Sequence, residues 1–140
     1  MKFTETKIEI TSNPACVWAT LTTHMPRNPE AYGVIRFDGN IALRSKIKLW
    51  SEVAPDRAFS LKVIACDAPH KMVWRGGMPF GLFVGTRTFT ISETAHGSMF
   101  HMREEFTGLF AGPITKSMPD ITPSFTKFAK TLKQEAERHD

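Results

Sequence analysis

From Pro113 to Arg138 the apolar side chains Ile114, Met118, Ile121, Phe125, Phe128 and Leu132 recur every three or four residues. That interval puts all six on one face of a helix. Lys127, Lys130, Lys133, Gln134, Glu137 and Arg138 take the other face and belong in water. Pro119 and Pro123 forbid a continuous rod, since each lacks an amide proton and disfavours helix in the residue before it. The pattern therefore predicts a short turn over Pro113 to Met118, a break at Pro119 to Pro123, and a regular helix onward to Glu137. A stripe this rich in aromatic and aliphatic side chains needs a broad partner, and almost everything before it has the period of strands.

Lys2 to Thr11 alternates, with Thr4, Thr6, Ile8 and Ile10 on one side and Glu5, Lys7 and Glu9 on the other. Asn13-Pro14 stops that strand and caps a short helix whose apolar face is Val17, Trp18 and Leu21. His24 to Tyr32, with Pro26 and Pro29, reads as a loop or a single helical turn. An antiparallel meander follows. Its strands are expected at Val34 to Phe37, Leu43 to Val53, Ala58 to Cys66, Lys71 to Arg75, Leu82 to Glu93 and Ser98 to Phe110. Asp38-Gly39, Pro55-Asp56, Asp67-Ala68-Pro69 and His96-Gly97 are the expected turns. The loop Gly76 to Gly81 is unusual because Met78 and Phe80 make it apolar. The fold class is α+β: a curved antiparallel sheet of about seven strands around a long terminal helix, with a short helix or helix pair after the first strand. No repeat or linker divides the chain, so one domain over residues 1–140 is expected.

Composition narrows the function classes. A net charge of +4 comes from Lys and Arg scattered through the strands and the last helix, without a run that would track a phosphate backbone, so nucleic acid is not an expected partner. No window approaches the ~20 apolar residues of a membrane span. The N-terminus has no apolar signal core, which points to a cytoplasmic protein. Cys16 and Cys66 stand apart from other Cys or His at metal-ligand spacing and read as buried thiols. HExxH, paired Cys ligands and facial-triad spacing are missing, so no metal is expected. Ser98, Ser117 and Ser124 lack a nucleophile-elbow sequence, and Gly76, Gly77 and Gly81 lack the strand-to-helix setting of a phosphate loop. Eleven Phe and seven Met residues suit a plain core and equally a wall that adapts to a ligand.

Four stretches resemble the START-like, or SRPBCC, superfamily. Pro69 followed by His70-Lys71-Met72-Val73-Trp74-Arg75-Gly76 is similar to its P-x-x-L-x-W-x-G strand, and Gly85-Thr86-Arg87-Thr88-Phe89 is similar to its following strand. Arg103-Glu104-Glu105-Phe106-Thr107-Gly108-Leu109, with Phe125 to Glu137 after it, is similar to the E-x-F-x-G strand end and the terminal helix. The resemblance implies a helix-grip fold with an apolar cavity between sheet and helix. Trp74, Arg87, Phe89, Met102, Glu104, Ile121, Phe125 and Phe128 match cavity positions. Arg87 stands where much of the family has an aromatic residue or His, and the superfamily's activities are too varied for the fold to select one.

Glu104 is the candidate for chemistry. It lies in the apolar row Phe100, Met102, Phe106, where a carboxylate is costly unless paired, and Arg87 on the neighbouring strand is the expected partner. Glu104 is then an acid or base, an anchor for a ligand's polar end, or one half of a structural ion pair. The five histidines form no motif: His24 lies in the proline-bounded loop, His70 and His96 in turns, His101 on the face opposite Glu104, and His139 at the end. Arg44, Lys71 and Arg75 either line an entrance or solvate strand faces. Three functions stay open. The first is binding of a small hydrophobic molecule of lipid, polyketide or aromatic type in a cavity of about 300–1,000 Å³ lined by Trp74, Phe89, Met102, Phe106, Phe125 and Phe128. The second is a polyketide cyclase or dehydratase in which Glu104 moves a proton. The third is a protein-interaction module using the loop around Phe80. No cofactor is expected, and a monomer and a homodimer are equally compatible with the chain.

Overall fold

The computed structural model describes residues 2–52 and 54–139. Seven strands form one antiparallel sheet: β1 (Lys2–Ile10), β2 (Val34–Asp38), β3 (Lys46–Ser51), β4 (Ala54–Asp67), β5 (Lys71–Gly77), β6 (Val84–Thr94) and β7 (Gly97–Thr107). Their order across the sheet is β1-β7-β6-β5-β4-β3-β2, so six strands run as a meander and the first closes onto the last. The described residues also include four α-helical segments: α1 (Pro14–Ala19), α2 (Met25–Arg27), α3 (Ala111–Ser117) and α4 (Thr122–Arg138).

The Asn13 side chain accepts the Cys16 amide at 2.9 Å and Pro14 occupies the first turn of α1, as the dipeptide predicts. Between α1 and α2 the chain is more helical than expected. A π-helical turn, Thr20–His24, and a 3₁₀ turn, Pro29–Tyr32, occupy the stretch that reads as loop. The wider π turn, closed by the Met25 amide on the Thr20 carbonyl, brings the chain to Pro26, which has no amide of its own to donate.

Several strand boundaries also differ from expectation: β4 begins at Ala54 rather than Ala58, β5 runs on to Gly77 rather than Arg75, β6 begins at Val84 rather than Leu82, and β7 ends at Thr107 rather than Phe110. β3 starts at Lys46 rather than Leu43, because Arg44 has φ of 69° and Ser45 turns back to bond the Ala42 carbonyl, leaving Leu43 half exposed. The other end of that prediction, Val53, lies outside the described residues. Pro55-Asp56 does not end a strand; it lies within β4. That is tolerated because the first part of β4 is paired only with β3, pairing with β5 beginning at Lys62, so Pro55 lies where a missing amide breaks no ladder on the free side.

The terminal helix has the expected break. α3 ends at Ser117, Met118 to Ile121 are non-helical or capping, and α4 runs on to Arg138 with Pro123 in its first turn rather than in the break. Phe125, Phe128 and Leu132 are buried, joined by Ala129 and Ala136, while Ile114, Met118 and Ile121 are half-buried. The helix lies on the sheet's concave face. Phe128 meets Tyr32, Phe89 and Phe100 at centroid distances of 5.3, 6.2 and 6.5 Å, and Trp74 packs edge-on against Phe89 at 4.7 Å. With Met72 and Met102 fully buried beside them, these rings fill the centre of the grip, where the sequence suggests a ligand cavity. The inward aromatics are long enough to meet across the sheet-to-helix gap, so there they bury one another. Cys16 and Cys66 are half-buried free thiols rather than fully buried ones; Cys16 Sγ lies 3.4 Å from the Ala136 carbonyl oxygen.

Candidate functional site

The strand register brings Thr4, Glu104, Arg87 and Trp74 side by side. Thr4 is opposite Glu104 across β1 and β7, Glu104 opposite Arg87 across β7 and β6, and Arg87 opposite Trp74 across β6 and β5. Directly opposed residues share a face, so the row crosses the concave side of the sheet. Arg87 Nη2 lies 3.5 Å from Glu104 Oε1, and the side chains are 19% and 14% exposed. The pairing expected from alternation is thus present. Phe125 of α4 covers it, with the Arg87 guanidinium carbon 4.9 Å from the ring centroid, a cation–π contact. Burial pushes the Glu104 carboxyl above the ordinary glutamate range, and the nearby Arg87 charge only partly offsets this.

Two further features distinguish the surroundings of the pair. The Trp74 indole Nε1 is buried and has no hydrogen-bond partner among the described residues, a donor left over in an apolar wall. Gly85 follows Arg87 inward on β6, opposite Phe106. A Cβ placed on Gly85 would have Glu104 Oε1 and the Phe106 ring as its nearest neighbours, both at 3.7 Å, an ordinary contact distance. Neither packing nor φ therefore demands glycine at position 85. Its missing side chain leaves room beside the carboxylate.

Of the other residues singled out in the sequence, Phe106 and Ile121 flank a small opening of about 30 Å³, together with Lys2, Thr4, Thr115, Met118, Pro119 and Asp120. It lies under the break between α3 and α4. Phe89, Met102 and Phe128 belong instead to the filled centre. A shallow depression of about 610 Å³ runs along the outward side of α4, past Thr126, Lys130 and Gln134, and is open to solvent. His101 faces outward, where its Nε2 is 3.1 Å from Glu5 and Arg103 binds Glu5 and Glu105 at 2.8 Å each. This is a surface network on the convex side, worth little to stability.

At the same end of the sheet, Phe80 is 97% exposed, with φ of 62°. Leu109, Phe110 and Met78 are exposed as well, and the Phe110 amide bonds the Leu82 carbonyl at 2.8 Å, joining the two loops. Gly108, with φ of 107°, permits that junction, because a side chain there would press on the Gly81 and Leu82 carbonyl oxygens at 2.5 Å.

Solved structures of similar architecture include protein MLL2253 from Mesorhizobium loti, 17% identical, with a TM-score of 0.75 over 99% of each chain. The di-domain ARO/CYC StfQ of the steffimycin biosynthetic pathway is 12% identical with a TM-score of 0.74; 98% of this chain corresponds to 51% of that longer one. Norcoclaurine synthase of Thalictrum flavum is 11% identical, with a TM-score of 0.72 over 99% of this chain and 94% of the enzyme. No protein-family model matches the sequence, and no curated protein matches it. The seven-stranded order, the short helices after β1 and the long terminal helix on the concave face give this chain the helix-grip fold of these solved structures.

Proposed function

We propose that this protein binds a small, mostly apolar molecule with one polar end, beside Arg87 and Glu104 at the α3–α4 end of the grip. The observation that carries this reading is the half-buried Arg87–Glu104 pair set in an otherwise apolar wall, next to the space that Gly85 leaves. Phe106, Phe125 and Ile121 supply apolar surface, while Arg87, Glu104 and the unpartnered Trp74 indole supply polar anchors. An opening of about 30 Å³ is far smaller than the ~300–1,000 Å³ of ordinary ligand sites. Entry therefore requires α3 and the Met118 to Ile121 break to swing away from β1 and β7. The neighbouring apolar loops at Phe80 and Leu109 border that path.

A fluorescent probe with aromatic rings and one anionic group, 8-anilinonaphthalene-1-sulfonate, tests the reading. Saturable binding is expected, weakening in the order wild type, Gly85→Ala, Gly85→Val, with Arg87→Met at least about tenfold weaker, since a charged contact of 1.5–3 kcal/mol is lost. The Ala variant should fold at least as well as wild type, because it fits sterically and stiffens the unfolded chain. Binding indifferent to Gly85 and Arg87 but abolished by Phe80→Ser would discard the internal site in favour of an exposed docking patch.

A second reading follows from the raised Glu104 carboxyl. A group held toward neutrality by burial suits proton transfer, and two structural neighbours are named as a cyclase and a synthase. In this reading the groove holds a poly-β-keto chain folded while Glu104 moves the proton. With a poly-β-keto thioester as test substrate, Glu104→Gln should abolish cyclised product without lowering the melting temperature below that of wild type. Product formation that survives Glu104→Gln would leave binding alone as the function.

A further inference from the structure

The far end of α4 carries a second cluster, unrelated to the Arg87–Glu104 site. Glu135 and His139 are one helical turn apart, and His24 reaches the same point from the π-helical turn Thr20–His24. His24 Nε2 lies 3.4 Å from Glu135 Oε2, and His139 Nε2 lies 3.7 Å from the same oxygen. All three atoms fall within 4.8 Å of one another. Glu135 Oε2 is buried, yet it has no hydrogen-bond partner among the described residues even with two imidazoles this close. A buried carboxylate oxygen in that condition lacks a partner of the right charge and direction.

A metal ion supplies both. Four ligands about 2.0–2.1 Å from a tetrahedral zinc ion are separated from one another by about 3.3 Å, close to the two distances observed. The surroundings also prepare His24. Its Nδ1 lies 2.9 Å from the Tyr32 hydroxyl, and Tyr32 is 1% exposed and packed against Phe128. A proton on Nδ1 donated to that hydroxyl leaves Nε2 with its lone pair directed at Glu135, the outer-shell hydrogen bond that commonly fixes a ligating imidazole. Arg138 Nη1, 3.5 Å from Glu135 Oε1, occupies the other carboxylate oxygen and leaves Oε2 for the cluster. The last carbonyls of α4 add negative potential at this end, which favours a cation.

We infer that His24, Glu135 and His139 form a binding site for a divalent transition-metal ion of the zinc class. Two imidazoles and one carboxylate select such an ion over calcium or magnesium, which take all-oxygen shells. Three protein ligands leave a coordination position for water or a small anion on the exposed His139 side. The ion joins the C-terminal turn of α4 to the helical segment after β1, and so pins the helix whose other end covers Arg87 and Glu104.

Calorimetric titration of zinc chloride into the full chain, freed of any histidine tag and stripped with a chelator, tests the site. One zinc per chain is expected at pH 7.5. Cobalt in place of zinc should give the visible absorption of a low-symmetry, nitrogen- and oxygen-ligated ion. His139→Asn and Glu135→Gln should each weaken binding at least about tenfold, Tyr32→Phe by about 10–100-fold, and His70→Asn not at all. His139 is exposed at the end of α4, so its variant keeps the fold and isolates the ligand effect. Absence of stoichiometric zinc binding, or an affinity unchanged by His139→Asn, overturns the inference. Neither result bears on the Arg87–Glu104 reading, whose probe binds at the other end of the helix.

Discussion

Phe128→Ala is expected to lower the unfolding free energy by about 3–5 kcal/mol, a large part of the 5–15 kcal/mol typical of a domain. Phe128 is 3% exposed, and its ring touches those of Tyr32, Phe89 and Phe100, so one truncation unseats the helix from the middle of the sheet. Phe89 and Phe100 are held by β6 and β7, and Tyr32 by the 3₁₀ turn Pro29–Tyr32, so the rings cannot collapse into the gap and the transfer loss and the cavity loss add. Urea unfolding gives the number, with an unchanged slope showing that the native state is otherwise intact. Phe80→Ala is the matched control: at 97% exposure it should change stability by no more than about 0.5 kcal/mol. A loss below about 1 kcal/mol at Phe128 would contradict a filled centre and restore the idea of a large cavity there.

The second large effect is expected at Arg87. Removing one member of this half-buried pair leaves the other charge without its partner, at about 1–3 kcal/mol, and Arg87→Ala also loses the contact with Phe125. The deficit should depend on pH in a definite direction. Below the unfolded glutamate pKa of about 4.3, Glu104 is protonated in both states, and only packing and hydrogen bonding are lost. As pH rises, the unfolded state releases its proton first, so the variant falls progressively further behind until its own raised folded pKa is passed. The same linkage acts in the wild type. Because the folded-state pKa of Glu104 is raised, its contribution is fully present at low pH and is lost as pH rises through that value. Glu104→Gln should therefore gain on the wild type as pH rises above the unfolded glutamate value of about 4.3. The double variant Arg87→Met with Glu104→Gln should recover most of the Arg87→Ala loss, since no charge then remains buried. A deficit of equal size at pH 4 and pH 7.5 would show that Arg87 acts through packing alone.

Much of this architecture is legible in the chain because it follows from local rules. Alternation on β6 and β7 places Arg87 and Glu104 on one face, and the His96-Gly97 turn sets the register that makes them neighbours. The two prolines locate the break between α3 and α4. Where local rules mislead, a tertiary partner or a single backbone angle is responsible. Pro55 fails to end a strand because one side of β4 is unpaired there, and Leu43 fails to join β3 because Arg44 turns through a positive φ.

By itself, then, the order of apolar and polar residues determines the strand sequence, the long terminal helix, its break and the pairing of Glu104 with Arg87, since each depends on neighbours a few residues away or on one hairpin. Tertiary structure alone decides the rest. Whether inward aromatics enclose a space or fill it depends on how far the helix stands from the sheet, and at Phe128 it stands close enough for the rings to meet. The cluster of His24, Glu135 and His139 has the same origin: His24 lies far away in sequence, and no spacing rule reveals it until α4 packs against the turns that follow β1.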